Sequence, residues 1–170
     1  MNSKNRRLEI EKKLVQSPGP IKGQDLAKIF NVTRQVIVKD IAILRAAGKE
    51  IIATPDGYLI NTEENKNIKK IIATSHNKDE IENELKCIVK YGGIINDVIV
   101  EHPVYGEIKA NLMLKNYFDI ENLVNRIALN NAQPLSSLTK GIHLHTIEAE
   151  SEEILDKILN KLDKEGYLIK

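Results

Sequence analysis

Residues 23–48, Gly23-Gln-Asp-Leu-Ala-Lys-Ile-Phe-Asn-Val-Thr-Arg-Gln-Val-Ile-Val-Lys-Asp-Ile-Ala-Ile-Leu-Arg-Ala-Ala-Gly48, read as two helices around a tight turn. The first spans about residues 24–30 and sets Leu26, Ala27 and Phe30 on its apolar side. Asn31-Val32-Thr33 leaves room only for a turn. Thr33 is an N-cap whose hydroxyl accepts a free backbone N–H of the next helix. That helix runs to about Ala47, and Gly48 ends it. Ile37, Ile41 and Leu44 fall at i, i+4 and i+7, one apolar stripe. Thr33, Arg34, Gln35, Val38 and Lys39 are left facing outward near its N-terminal end. This is the layout of a helix-turn-helix, whose second helix offers its first residues to the DNA major groove.

A short pattern of this kind also fits a plain helical hairpin with a solvated outer face. The next residues favour DNA. Two β-type runs, 51–54 and 58–60, flank Pro55-Asp56-Gly57, which signals a hairpin. A hairpin directly after a recognition helix is a wing, so residues 5–60 resemble the winged helix-turn-helix of many bacterial repressors. The DNA-binding domain is expected over residues 1–62.

Charge divides the chain. Residues 1–60 carry eleven Lys and Arg against six Asp and Glu, or +5; residues 61–170 carry fourteen against eighteen, or −4. Phosphate binding therefore belongs to the N-terminal part, with Lys4, Arg6, Arg7 and Lys49 as candidate contacts. No apolar run reaches membrane-spanning length. Cys87 is the single cysteine, which excludes a disulfide framework within one chain. A cytoplasmic protein with no membrane partner is expected.

Asn61–Asn67 is a polar linker, and a second domain follows over residues 67–170. Residues 68–75 read as a strand. Residues 78–91 read as a helix with Ile81, Leu85, Ile88 and Val89 on one face. Strands are expected at 94–101 and 107–114, around a turn at 102–106. Asp119 is expected to cap a helix to about Leu129, and one irregular or helical turn fills 134–141. A strand at 142–149, a helix capped by Ser151 and an edge strand at 166–169 complete the order β-α-β-β-α-β-α. That order predicts an α+β sandwich with a mainly antiparallel sheet.

The four histidines, His76, His102, His143 and His145, all lie in this second domain. His143 and His145 are two apart in a strand, so they share a face about 6.5 Å apart. Two imidazoles at that spacing can converge on one metal ion. His76 ends the first strand, and the following helix offers Asp79, Glu80 and Glu84. Two or three His with a carboxylate suit a divalent transition metal such as Ni, Zn or Fe. The alternative is a strand with polar outward residues beside an ordinary helix-terminal acid.

Residues 33–48, Val98-Ile-Val-Glu-His-Pro-Val-Tyr-Gly106 and Gly141-Ile-His-Leu-His145 together resemble the niacin-responsive transcriptional repressors. In that family a winged helix-turn-helix precedes a three-histidine (3H) domain, and the likeness covers nearly the whole chain. It implies a homodimeric repressor of NAD-precursor synthesis and uptake genes, binding operator double-stranded DNA with nicotinic acid as co-repressor. It further implies one divalent metal per chain at His76, Glu84, His143 and His145. His102 and Tyr105 are the residues expected to hold the effector. The resemblance points away from an enzyme. Two other classes fit the same residues: a repressor for which the ion itself is the signal, and a metal-dependent hydrolase fused to a DNA-binding module.

Overall fold

The computed structural model of the chain describes residues 2–60 and 66–170. Its contacts divide the chain into two compact units, Met1–Glu64 and Asn65–Lys170. The expected linker at 61–67 lies mostly outside the described residues.

In the first unit, α1 (Ser3–Gln16), α2 (Gly23–Phe30) and α3 (Arg34–Ala46) precede a hairpin of β1 (Ile51–Thr54) and β2 (Gly57–Ile60). Asn31 closes α2 in the left-handed conformation, and the Thr33 hydroxyl accepts the Val36 N–H at the start of α3. Ile10, Leu14, Leu26, Ile37, Ile41, Leu44 and Ile51 form the core. The hairpin turns on Pro55-Asp56, and Ile21 adds a bridge to Tyr58 as a third piece of wing. Gly57 has φ +133°, and a Cβ there would collide with the Ile21 carbonyl.

Three of the four expected phosphate contacts, Arg6, Arg7 and Lys49, are paired internally. Asp40 of α3 is buried, and Arg6 Nε and Arg7 Nη1 reach it at 2.6 and 3.5 Å. A buried carboxylate needs that compensation, so Arg6 and Arg7 brace α1 against α3. Lys49 pairs with Glu11 at 2.7 Å. Asp40→Ala is expected to lower the stability of this unit by about 2–3 kcal/mol, because it strands two partly buried cations. The check is the urea midpoint. A loss below about 0.5 kcal/mol would mean that the pairs behave as surface ion pairs.

The second unit is the expected α+β sandwich. Its four-stranded antiparallel sheet has the order β3 (Ile68–Ser75), β6 (Ile142–Ala149), β4 (Ile94–His102), β5 (Gly106–Leu114). Both β3 and β4 run antiparallel to β6, so β6 is inserted between two parallel strands joined by α4 (Ile81–Val89). α5 (Tyr117–Leu129) and α6 (Glu152–Lys164) complete the helical layer. Ile72, Ile95 and Ile147 of the sheet pack with Leu85 and Ile88 of α4, Ile120 of α5, and Leu155, Ile158 and Leu162 of α6.

Three local expectations change. The helix expected from residue 78 begins as a 3-10 turn, Lys78–Glu80. Asn116, rather than Asp119, caps α5; Asp119 reaches back to accept the N–H of Lys115, one residue before the cap. The expected edge strand at 166–169 is reduced to one bridge, Thr74 with Leu168.

Candidate metal centre and DNA-reading helix

Four side chains meet under the sheet. His143 and His145 project from β6 toward the helical layer, with rings 4.8 Å apart. His76 lies just past the end of β3, and Glu84 rises from α4. The nitrogens His76 Nε2, His143 Nε2 and His145 Nε2 stand 2.9, 3.5 and 3.4 Å from Glu84 Oε2. All four side chains are at most 3% exposed. Glu80 and Asp79 are solvent-exposed on the 3-10 turn.

Backbone carbonyls fix the three rings. Nδ1 of His76, His143 and His145 lies 2.7, 2.8 and 2.6 Å from the carbonyl oxygens of Asn77, Gly141 and Asp97. A carbonyl only accepts, so each Nδ1 carries a proton, and a ring in its neutral form turns an Nε2 lone pair inward. Three lone pairs and a carboxylate then face one another. Glu84 Oε1 and His145 Nε2 are buried without a hydrogen-bond partner. Such stranded acceptors are costly unless a cation joins them. Two ligands each about 2.1 Å from one ion stand roughly 3.0–3.4 Å apart at angles between 90° and 109°, close to the distances of the three Nε2 atoms from Glu84 Oε2; the ligand atoms of His76, Glu84 and His143 all lie within 4.8 Å of one another, and His145 stands outside that closest group. The donor set therefore fits a divalent transition metal.

The electrostatics agree. Burial pulls the His145 and His76 rings toward neutrality, but the Glu84 carboxylate outweighs it and holds both above the ordinary histidine value. Burial also opposes the Glu84 charge, yet His145 and the hydrogen bonds of the three rings keep its carboxyl well below the usual range. Without a metal, protons on these rings compensate the Glu84 charge, and a bound cation would have to displace them.

Gly141 shapes the cluster. Its φ is +96°, and a Cβ would run into the His76 carbonyl oxygen. The close approach lets one residue set the start of β6 against His76 while its own carbonyl holds His143.

Where β4 and β6 part beyond the Ile99–Leu144 pair, an open pocket of about 390 Å³ reaches His143. Its walls include Glu101, Glu107, Thr139, Ile142 and Leu144. His102 and Tyr105 do not line it. His102 Nδ1 instead accepts the Val104 and Tyr105 N–H groups and closes the β4–β5 turn, and Tyr105 is 77% exposed.

On α3, Thr33, Arg34, Gln35 and Lys39 are exposed, Val38 is half-buried, and Ile37 and Ile41 turn inward.

Residues 69–170 match the family described as 3H domain, and residues 6–59 match an HTH domain. The probable transcription repressor NiaR of Thermotoga maritima is 44% identical over 156 residues, covering 92% of this chain and 89% of that one. The transcription repressor NadR of Bacillus subtilis is 39% identical over 169 residues, covering 98% and 94%. The chain belongs to the 3H-domain family of helix-turn-helix transcription repressors. Among solved structures, the Thermotoga maritima IclR aligns at TM-score 0.32 and 11% identity over 96% and 95% of the chains, too remote to inform the fold.

Within this 3H domain, three contributors are not singled out by sequence reasoning. Thr74 is fully buried, and its hydroxyl lies 3.0 Å from His143 Nε2, where it steers that ring. It lies two residues before His76 on β3, and strand alternation alone sets it on the ligand face. Asp97 holds His145 through its carbonyl, while its carboxylate accepts the Thr146 N–H and pairs with Lys109. Tyr167 packs edge-on to His76 at 5.6 Å, and burial lifts its phenol so that it stays neutral.

Proposed function

We propose that this chain represses genes of NAD-precursor synthesis and uptake, with nicotinic acid as co-repressor and one divalent metal per chain at His76, Glu84, His143 and His145. The observation that carries the metal is the inward convergence of three carbonyl-fixed imidazoles on Glu84, with two buried acceptors left unpaired. The names of the two relatives support a repressor of NAD-related genes. The metal supplies a fixed positive charge in a unit that is otherwise net negative. Nicotinic acid is assigned to the pocket beside His143, where Glu101 and Glu107 would repel a carboxylate unless the cluster carries that charge. His102, bound to its own turn, is a structural residue in this reading. His102→Ala should leave nicotinic acid affinity within about twofold by calorimetry.

Arg34, Gln35 and Lys39 are assigned to the major groove, with Val38 set to touch a thymine methyl and Thr33 to hold the helix start. Arg bonds guanine bidentately and Gln bonds adenine. Arg34→Ala should cost about 1–3 kcal/mol in operator affinity and relax discrimination at one base pair. A loss equal over all operator substitutions would make Arg34 a phosphate contact. Two half-sites one DNA turn apart require two copies of the chain.

Protons compete with the metal. His76 and His145 hold protons above about pH 6.5 in metal-free protein, so their contribution to metal-free stability is complete below that pH. It is lost as pH rises through their raised values. Glu84 acts oppositely: its contribution is present at neutral pH and is lost in acid as pH falls through its lowered value. Metal binding needs neutral rings. The melting-point gap between metal-loaded and metal-stripped protein should therefore widen from pH 5.5 to 8 in differential scanning fluorimetry. A gap that ignores pH would exclude these rings as ligands.

The test of the whole reading is a thermal-shift panel of pyridine metabolites on loaded and stripped protein. Nicotinic acid should raise the melting point only when metal is present. A response to metal alone, with operator affinity indifferent to every pyridine, would make the ion itself the signal.

A further inference from the structure

The two faces of β6 carry different chemistry. His143, His145 and Ile147 point to the helical layer, so strand alternation turns Glu148 away from it. Glu148 is nonetheless only 3% exposed. Donors from three other places close over it. Asn67 Nδ2 lies 3.4 Å from Oε1, Asn96 Nδ2 of β4 lies 3.0 Å from Oε2, and Lys69 Nζ of β3 lies 3.8 Å from Oε2. A buried carboxylate needs such partners. Asn67 stands where the chain enters the second unit, just before β3 begins. Glu148 therefore fastens the chain entry to the strand that carries His143 and His145.

Asn96 extends the connection back to the histidine cluster. The β4–β6 pairing joins Ile95 to Ile147 and resumes at Ile99 with Leu144, four residues along β4 against three along β6. The extra residue is a bulge, which interrupts the ladder and re-aims the groups within it. There the Asp97 carbonyl turns to His145 Nδ1 at 2.6 Å, and the neighbouring Asn96 turns its amide to Glu148. A carboxylate only accepts, so the Asn96 NH2 faces Glu148. Asn96 Oδ1 is buried without a hydrogen-bond partner among the described residues. Glu148 thus holds Asn96 in place although half of its amide is unserved. The links run unbroken from His145 through Asp97, Asn96 and Glu148 to Asn67.

We propose that these contacts form a relay, by which the position of the His145 ring sets the path of the chain at Asn67, where it arrives from the winged unit. A shift of the ring carries the Asp97 carbonyl with it. The Asn96 amide follows as the next residue of the same bulge, where the ladder does not pin the backbone. Glu148 passes the shift to Asn67. The inference rests on the reading of the histidine cluster as a ligand site, and it adds the residues that carry the state of that site toward the DNA-binding unit.

The test follows backbone amides of the full chain by NMR during titration with zinc, which is diamagnetic. Strands rise about 3.4 Å per residue, so Asn67 stands about 17 Å along the chain from Ile72, the partner of His145. In the wild type the amides of His145, Asp97 and Asn67 should all shift. Two variants cut the relay and leave the cluster intact. Asn96→Ala removes the amide. Glu148→Gln keeps one acceptor and turns the other into a donor, so it can serve Asn67 or Asn96 but not both. In each, the shifts at His145 and Asp97 should persist and the shift at Asn67 should vanish. Zinc affinity, by calorimetry, should stay within about twofold, because Asp97 still holds His145. Operator affinity without nicotinic acid should also hold, while its tightening by nicotinic acid falls from about 5–150-fold to below about twofold. An Asn67 shift retained in both variants overturns the relay and assigns the coupling to the β3–β6 ladder. A wild type in which only the cluster amides move overturns it too, as does undiminished tightening in both variants. Absence of any shift at His145 itself would contradict the cluster as a metal site, and the relay with it.

Discussion

Glu84→Gln is expected to separate the fold from the metal. The carboxylate is the centre on which the three Nε2 atoms converge. An amide of the same shape keeps the packing, offers N–H donors to the rings, and removes a buried charge. Metal-free protein should stay folded and lose no more than the stability that the Glu84–histidine pairing contributes near neutral pH, since the desolvation cost of the buried carboxylate goes with its charge. Metal affinity should fall by roughly 100-fold or more, beyond the usual effect of changing a group that merely supports a ligand. At a metal concentration 100 times the wild-type Kd, bound metal adds about 2.7 kcal/mol to the native state. For a domain of this size that is a melting-point rise of about 10–20 °C. The wild type should show the rise and Glu84→Gln should not. A rise retained in Glu84→Gln would remove Glu84 from the site; a collapse of the metal-free variant would show that its charge holds the fold.

Gly141→Ala should be the most damaging single-methyl change in the second unit. The residue has φ +96°, and the added Cβ would meet the His76 carbonyl oxygen. Positive φ alone costs a non-glycine residue about 1–2 kcal/mol. The collision with backbone, which cannot swing aside, should bring the loss to about 3–4 kcal/mol. Gly166→Ala is the control, with φ +78° and open space around the new methyl; it should lose only the conformational part. Gly141 also fixes His143 through its carbonyl. Gly141→Ala should therefore lower metal affinity by at least about 10-fold while Gly166→Ala leaves it unchanged. Equal urea midpoints for the two variants would refute the close approach.

The winged unit was legible because its signals are local. Thr33 caps, Asn31 and Gly48 stop, and Pro55-Asp56-Gly57 turns, each within a few residues of the element it bounds. The buried Asp40 was not, because its reason lies more than thirty residues away in Arg6 and Arg7. In the second unit, period-two runs at 68–75 and 142–149 mark strands that the structure contains. Their order is set by long-range pairing, and no local pattern says that β6 inserts between β3 and β4. Between Glu80 and Glu84, helical phase does discriminate. Ile81, Glu84, Leu85 and Ile88 fall at i, i+3, i+4 and i+7, so Glu84 is an acid within the apolar stripe. Glu80 precedes that stripe and falls on the 3-10 turn. An acid within a buried stripe needs a cationic partner, which the histidines cannot fully provide while neutral.

The account as a whole makes metal the prerequisite and nicotinic acid the signal. A ligand shifts the DNA-competent population only by its differential affinity for the two states. By reciprocity operator DNA should tighten nicotinic acid by the same factor, about 5–150-fold for a coupling of 1–3 kcal/mol. The direct test is an operator titration of the wild type, metal-loaded and metal-stripped, and of the His143→Ala/His145→Ala double variant, each with and without nicotinic acid. The account predicts tightening by nicotinic acid only in the metal-loaded wild type, with weak, effector-independent binding by the other two through an intact winged helix. A full co-repressor response in metal-stripped protein or in the double variant would contradict it.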